Sequence, residues 1–193
     1  IEDLITVPVE FNRVIVKDIN RGGTFVAKTE VDINPNTGSL YTVNGGTVFA
    51  KLDGGFCVRQ YSGAINVKWF GAKGDGITDD TYAFLNALNE SSGNTLMVPA
   101  GTYVISTLMM SSSIVVIGSG FDTVIKQKPA TNDNMLQVDS PGTRIVFDSL
   151  TIDGNNSNQS YGTGQFSFIV SKIPNVVAEF RNVRFQDSNT GAI

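Results

Sequence analysis

Histidine is absent from the 193 residues, and there is one cysteine, Cys57, and one tryptophan, Trp69. Without histidine the chain lacks the usual general base of nucleophilic triads and the commonest zinc ligand, so any chemistry must run on carboxylates, Lys, Arg or Tyr. A single thiol closes no internal disulfide; packing must hold the fold, and the chain suits maturation in a reducing cytoplasm. Charge of one sign is scarce too: 14 Lys and Arg face 18 Asp and Glu, a net charge of -4 with no run of like charge. That argues against phosphate-backbone binding, so nucleic acid is not an expected partner. No apolar stretch much exceeds "SIVVIG", far short of the roughly 20 residues of a spanning helix, so membrane insertion is not expected either. Both ends, Ile1 and Ile193, read as cut from a longer polypeptide.

What is present is short strands. From Ile5 to Phe70 alternating runs such as "RVIVKD", "GGTFVAK", "GGTVFAK" and "GGFCVRQY" are broken by Gly-Gly and Asn-Gly pairs, which supply the positive φ of tight turns. "GGTFVAK" (Gly22 to Lys28) recurs as "GGTVFAK" (Gly45 to Lys51). A small hairpin-built β domain is predicted, with the repeat as a folding device.

Between Asp79 and Asn89 the period changes. "DDTYAFLNALN" sets Tyr82, Leu85 and Leu88 on one stripe with Phe84 beside it, the pattern of a short amphipathic helix. Thr78 is the expected N-cap, with Asp79 and Asp80 in the first turn, where the helix dipole favours negative charge. Gly74, Asp75 and Gly76 fit a tight turn before it. The acidic stretch "GDGITDD" is thus assigned a structural role; it offers too few regularly spaced oxygens for a calcium loop, and no metal or cofactor is expected.

After the helix come further strands and no further helix. "NMLQVDSPGTRIVFDSLTIDGNN" overlays "FSFIVSKIPNVVAEFRNVRFQDS" at an offset of 33, matching Met135 to Phe168, Leu136 to Ile169, Phe147 to Phe180, Leu150 to Val183 and Ile152 to Phe185. Self-similarity at this period predicts a solenoid whose coils stack about 4.8 Å apart. In that register Phe147, Leu150 and Ile152 point inward, while Asp148, Thr151, Arg181 and Arg184 face solvent. The polar segment from Asp153 to Gln165 becomes a surface loop. The open first coil needs a cover, and the helix at Asp79 to Asn89 is placed to be one.

"INVKWFGAKGDGITDDTYAFLNALNESSGNTLMVPAGTYVIS", from Ile65 to Ser106, resembles the start of the right-handed β-helix of the pectate-lyase-like superfamily, in the form found in bacteriophage tailspikes. "GGTVFAKLDGGFCVRQYSG" (Gly45 to Gly63) is similar to the small β module preceding that helix in tailspikes, although Phe56 stands where Trp often follows the "DGG" turn. The resemblance implies an all-β chain divided into a leading module (1–63), a linker with the capping helix (64–92) and the first coils of a right-handed parallel β-helix (93–193). It further implies a homotrimeric virion protein, made in the host cytoplasm, that docks on other tail proteins and binds and degrades bacterial capsule or lipopolysaccharide, with the chemistry downstream of these residues.

Glycoside hydrolysis wants two carboxyl groups about 5 to 9.5 Å apart, whereas elimination needs a base beside a uronic acid and a cation for its carboxylate. The 33-residue register places Asp153 over Gln186, making Asp153 and Asp187 diagonal neighbours at the loop root and the one catalytic pair the sequence suggests. The alternative is that both are turn carboxylates ending a strand. Tyr161 in the polar loop is a candidate for stacking on a sugar, and Arg181 and Arg184 are candidates for an acidic glycan, or else partners of Asp148 and Glu179. Two other readings remain open: a non-enzymatic glycan-binding adhesin or tail adaptor, and a free pectinase-like or epimerase-like enzyme.

Overall fold

Two kinds of turn give two kinds of β-structure. The computed structural model describes residues 13–29, 32–33, 39–51, 54–160, 169–171 and 173–187. In the first part, strands β1 (Arg13–Val16), β2 (Gly23–Lys28), β3 (Val48–Ala50) and β4 (Phe56–Gln60) form one antiparallel sheet in the order β1-β2-β4-β3. The β1–β2 turn is tied by the Asp18 carboxylate, which accepts from the backbone N–H groups of Asn20 and Arg21. Such local bonding is why Asp favours turns. The repeated segments flank β4: Val26 and Val48 both lie opposite Val58, and Ala27 and Phe49 both lie opposite Cys57. Opposed residues share a face. One face therefore buries Phe25, Phe49 and Cys57, and the other Tyr41, Val48 and Val58.

From Ile65 onward the chain is wound rather than folded back. β5 (Ile65–Asn66) and β6 (Asp75–Asp79) are followed by α1 (Thr81–Glu90). Then come β7 (Thr95–Val98), β8 (Gly101–Ile105), β9 (Leu108–Met110), β10 (Ile114–Gly118), β11 (Thr123–Gln127), β12 (Leu136–Val138), β13 (Arg144–Asp153), β14 (Ile169–Ser171) and β15 (Val177–Gln186). Every pairing in this part is parallel. Two sheets result: an eight-stranded one of order β5-β7-β10-β13-β11-β8-β6, in which the long β13 pairs first with β10 and then, past a bend, with β11, while the similarly bent β15 pairs along β13; and a three-stranded one, β9-β12-β14. The bends are at Ser149 and Asn182, both in the left-handed region (φ 55° and 48°). This is the β-helix the sequence predicts, at the predicted register: Phe147 pairs with Phe180, Leu150 with Val183 and Ile152 with Phe185.

The register makes the core. Leu96, Val116, Phe147 and Phe180 form one inward ladder, and Tyr103, Ile125, Ile152 and Phe185 a second. Phe147 and Phe180 stack nearly parallel, with ring centroids 5.9 Å apart. Helix α1 closes the open end: Phe84 meets the Tyr103 ring edge to face at 5.5 Å, and Ala83 and Ala87 are buried beside it.

Three details differ from the sequence reading. The helix begins at Thr81 with Asp80 as N-cap, because Asp79 is drawn into β6 opposite Val104. Thr78 is therefore not the cap, and Asp79 and Asp80 precede the first turn, with Asp80 in the cap position. Tyr82 is 82% exposed, and the buried face is Thr81, Ala83, Phe84, Ala87 and Glu90, one position round from the predicted stripe. Thr151 is buried rather than solvent-facing; its hydroxyl donates to the Phe121 carbonyl at 2.8 Å, and Arg184 lies over the Phe121 ring at 4.3 Å.

Candidate functional site

The acidic turn from Asn66 to Thr81 is knotted by its own backbone. Val67–Phe70 form a single 3₁₀ turn, capped by the Asn66 side chain accepting from Lys68 N–H at 2.9 Å and ended by left-handed Gly71. Asp80, 2% exposed, reaches back from the helix start and accepts from the N–H groups of Lys73 (2.7 Å) and Gly74 (3.0 Å). Burial pushes its carboxyl above the usual range, against these two bonds that favour the carboxylate. Gly74 is required twice over: its φ is 65°, and a Cβ there would lie 2.8 Å from the Tyr103 ring. Tyr103 in turn donates to the Pro99 carbonyl at 2.9 Å.

The other two aspartates are equally engaged. Asp75 accepts from Thr78 N–H (2.7 Å), the Thr78 hydroxyl (2.7 Å) and Ile77 N–H (2.9 Å), and these bonds hold its pKa down at about 2. Asp79 accepts from Thr81 and pairs with Lys128 at 2.8 Å; partial burial opposes ionisation, but the Lys128 and Thr81 bonds outweigh it and lower the pKa. Each carboxylate thus spends its acceptors on a turn.

Asp153 and Asp187 lie at the loop root, at the ends of β13 and β15. Asp153 is 6% exposed, pairs with Gln186 in register, and accepts from Asn155 N–H (2.8 Å) and Gln186 Nε2 (3.1 Å), with Lys126 Nζ at 3.5 Å. Asp187 is exposed and left-handed (φ 41°); its carboxylate accepts from the Ser157 hydroxyl at 3.0 Å and its carbonyl from Asn156 N–H at 2.9 Å. Both end a strand and tie one turn. Neither is presented as an acid poised over a substrate.

Arg181 pairs with Glu179 at 2.8 Å, as the sequence allowed, but Glu179 is shared with Arg144 at 2.6 Å. Arg184 finds the Phe121 ring rather than an acid. Tyr161 lies outside the described residues. The sequence reading missed Lys126, Arg144 and Phe121. Lys126 pairs with Asp153 through β11 and β13, where one coil is shorter than 33 residues, so an overlay at one fixed period passes it by. Among the described residues no three Cys, Asp or Glu side chains are grouped to share a metal ion. A shallow groove of about 190 Å³ beside α1, lined by Leu85, Leu88, Met109, Ser111, Ser112 and Ile114, carries no acid or base.

Comparison with known proteins agrees with this architecture. Over 110 residues the chain is 34% identical to alginate lyase 7 of Azotobacter vinelandii, and over 84 residues 37% identical to depolymerase 1, capsule K30/K69-specific, of Klebsiella phage K5-2. These matches cover 48% and 42% of the chain but only 13% and 10% of the relatives' own lengths. In structure the chain resembles the tailspike protein of Acinetobacter baumannii phage AM24, with a TM-score of 0.68 at 16% identity, across 99% of this chain and 33% of that one. Residues 64–192, the wound part from Ala64 onward, match the model of the rhamnogalacturonase A/epimerase, pectate lyase-like family, and the chain belongs to that family.

Proposed function

We propose that this chain is the leading, virion-proximal part of a phage tailspike that binds and degrades a bacterial surface polysaccharide, capsule or lipopolysaccharide. Residues 1–63 then serve as a small β anchor, 64–92 as linker and cap, and 93–193 as the first coils, in a homotrimer seated on other tail proteins. The observation that carries this reading is the 37% identity over 84 residues to a phage depolymerase named for capsule. The engaged carboxylates fit the same reading, because Asp75, Asp79, Asp80, Asp153 and Asp187 all bond to turns, and the cleaving pair is accordingly sought further along the helix. Arg181, Arg184 and Tyr161 are the residues through which this segment would touch an acidic glycan.

The matched alginate lyase favours a second reading, elimination on a uronic acid rather than hydrolysis. One experiment separates the alternatives. The full-length parent protein is applied to purified capsule and lipopolysaccharide, and reducing ends are followed together with the unsaturated-uronate absorbance. Reducing ends alone mean a hydrolase, and both signals together mean a lyase. Binding without either signal would leave an adhesin and end the enzyme reading. If the 193-residue chain cleaves by itself, the chemistry lies here and Asp153 and Asp187 are its first suspects.

A further inference from the structure

The duplicated Gly-Gly-Thr segments have a use that their hairpin role does not explain. Both copies converge on one side chain, Arg59 of β4, which is 3% exposed. Its guanidinium donates to the carbonyls of Gly46 (Nε, 3.0 Å), Gly22 (Nη1, 2.6 Å) and Arg21 (Nη2, 2.6 Å). It is also sandwiched between the Phe25 ring at 4.7 Å and the Trp69 ring at 4.5 Å. Phe25 belongs to the leading sheet and Trp69 to the 3₁₀ turn that opens the β-helix. The glycines make the room: a Cβ on Gly23 would lie 2.4 Å from Nη1 of Arg59, and one on Gly46 would lie 2.5 Å from the Phe70 ring. Arg21 adds a second bridge, from Nε to the Trp69 carbonyl at 3.2 Å.

We propose that Arg59 is a latch that fixes the leading sheet to the mouth of the β-helix, and that the two glycine pairs of the repeat are its duplicated cradle. A planar, five-donor cation suits this place because it can bond in its own plane while stacking on both faces. Its donors go to main-chain carbonyls rather than to a carboxylate, so the seat exists only while three separate segments are assembled. Burial lowers the pKa to about 10, with Arg21 contributing, which still leaves the group charged at neutral pH. Replacing it by an apolar side chain removes the donor from three carbonyls at once, that of Gly46 buried and those of Gly22 and Arg21 part-buried. The joint then opens locally while the coils, held by their own ladders, stay folded.

Trp69 is the chain's only tryptophan and sits in the joint, so its fluorescence reads the latch directly. In the wild-type chain, acrylamide quenching should be weak, and the Trp69 denaturant transition should coincide with that of the backbone circular dichroism. In Arg59→Met, quenching should rise about twofold or more, and the Trp69 transition should move to lower denaturant while the backbone transition stays in place. Arg59→Lys, which keeps the charge but not the fork, should behave like Met. Gly23→Ala is a milder variant that displaces Nη1 and leaves Arg59 present; it should produce the same loosening on a smaller scale. Unchanged quenching in Arg59→Met, or in Gly23→Ala if the first variant does not fold, overturns the proposal. So does a coincident shift of both transitions in Gly23→Ala, since Arg59 would then be an ordinary core residue.

Discussion

The leading sheet and the coil stack are both β-structure, yet they solve burial in opposite ways. The coils repeat one solution: each inward residue sits on its equivalent in the coil below, as Leu96, Val116, Phe147 and Phe180 do. The leading sheet has no such repetition. It divides its apolar residues between two small clusters of three buried side chains each and relies on glycine turns and the arginine joint. A ladder is redundant because every rung is supported from above and below. A joint is singular, and one side chain decides it.

The strongest way to break the comparison is to remove a rung. Leu150 is fully buried, between Gly118 of the previous coil and Val183 of the next. Leu150→Ala should cost about 3 to 5 kcal/mol, the transfer loss plus the cavity, and lower Tm by roughly 10 °C in thermal unfolding followed by circular dichroism. A cost below about 1 kcal/mol would mean that the neighbouring rungs collapse into the gap and that the stack is not close-packed.

Asp80→Ala comes next. It leaves the part-buried N–H groups of Lys73 and Gly74 without their acceptor and should cost about 2 to 3 kcal/mol in urea unfolding. Asp80→Asn keeps one carbonyl oxygen for one of those donors and should recover part of the loss. Equal losses for the two variants would show that charge rather than acceptor count matters at this position. Gly46→Ala tests the joint from the side of the leading sheet: the new Cβ meets the Phe70 ring, and overpacking there should cost about 2 kcal/mol.

The same contrast explains what could be read from the sequence. The coil register was legible because repetition leaves a signature: matching Leu150 to Val183 and Ile152 to Phe185 needs only a fixed offset. Lys126 escaped that method because its coil differs in length, and Thr151 was misjudged because an outward-facing side chain can still be covered by Phe121 and Arg184. The helix was legible as a helix, but its start was not. Thr78 was the expected cap, and the start moved to Thr81 because Asp79 pairs with Val104, a contact 25 residues away. Arg59 had no sequence signal beyond the repeated glycines, since the partners of its guanidinium are backbone carbonyls, which every residue has. Of the candidate site, the sequence register set Asp153 opposite Gln186, as the strands pair. It could not reveal that Asn155, Gln186 and Ser157 would occupy the Asp153 and Asp187 carboxylates.

The smallest expected effect is local and belongs to the turn that joins the two regions. Asp75 is held near pKa 2 by Thr78 and Ile77, below the ordinary 3.8 of the unfolded chain. A carboxyl whose folded pKa is depressed adds stability that is fully present above its unfolded pKa and fades as pH falls through the folded value. The turn should therefore hold above about pH 4 and loosen toward about pH 2, with the backbone amides of Ile77 and Thr78 gaining hydrogen exchange while the coil amides keep their protection. Because Asp75 is exposed, salt should not alter this much: the bonds are short-range contacts to neutral donors rather than a charge pair. Asp75→Asn should remove the pH dependence at these two amides without moving the global transition. If the coil amides lose protection over the same interval, the turn is not a separate unit, and the first coil depends on it as closely as the coils depend on one another.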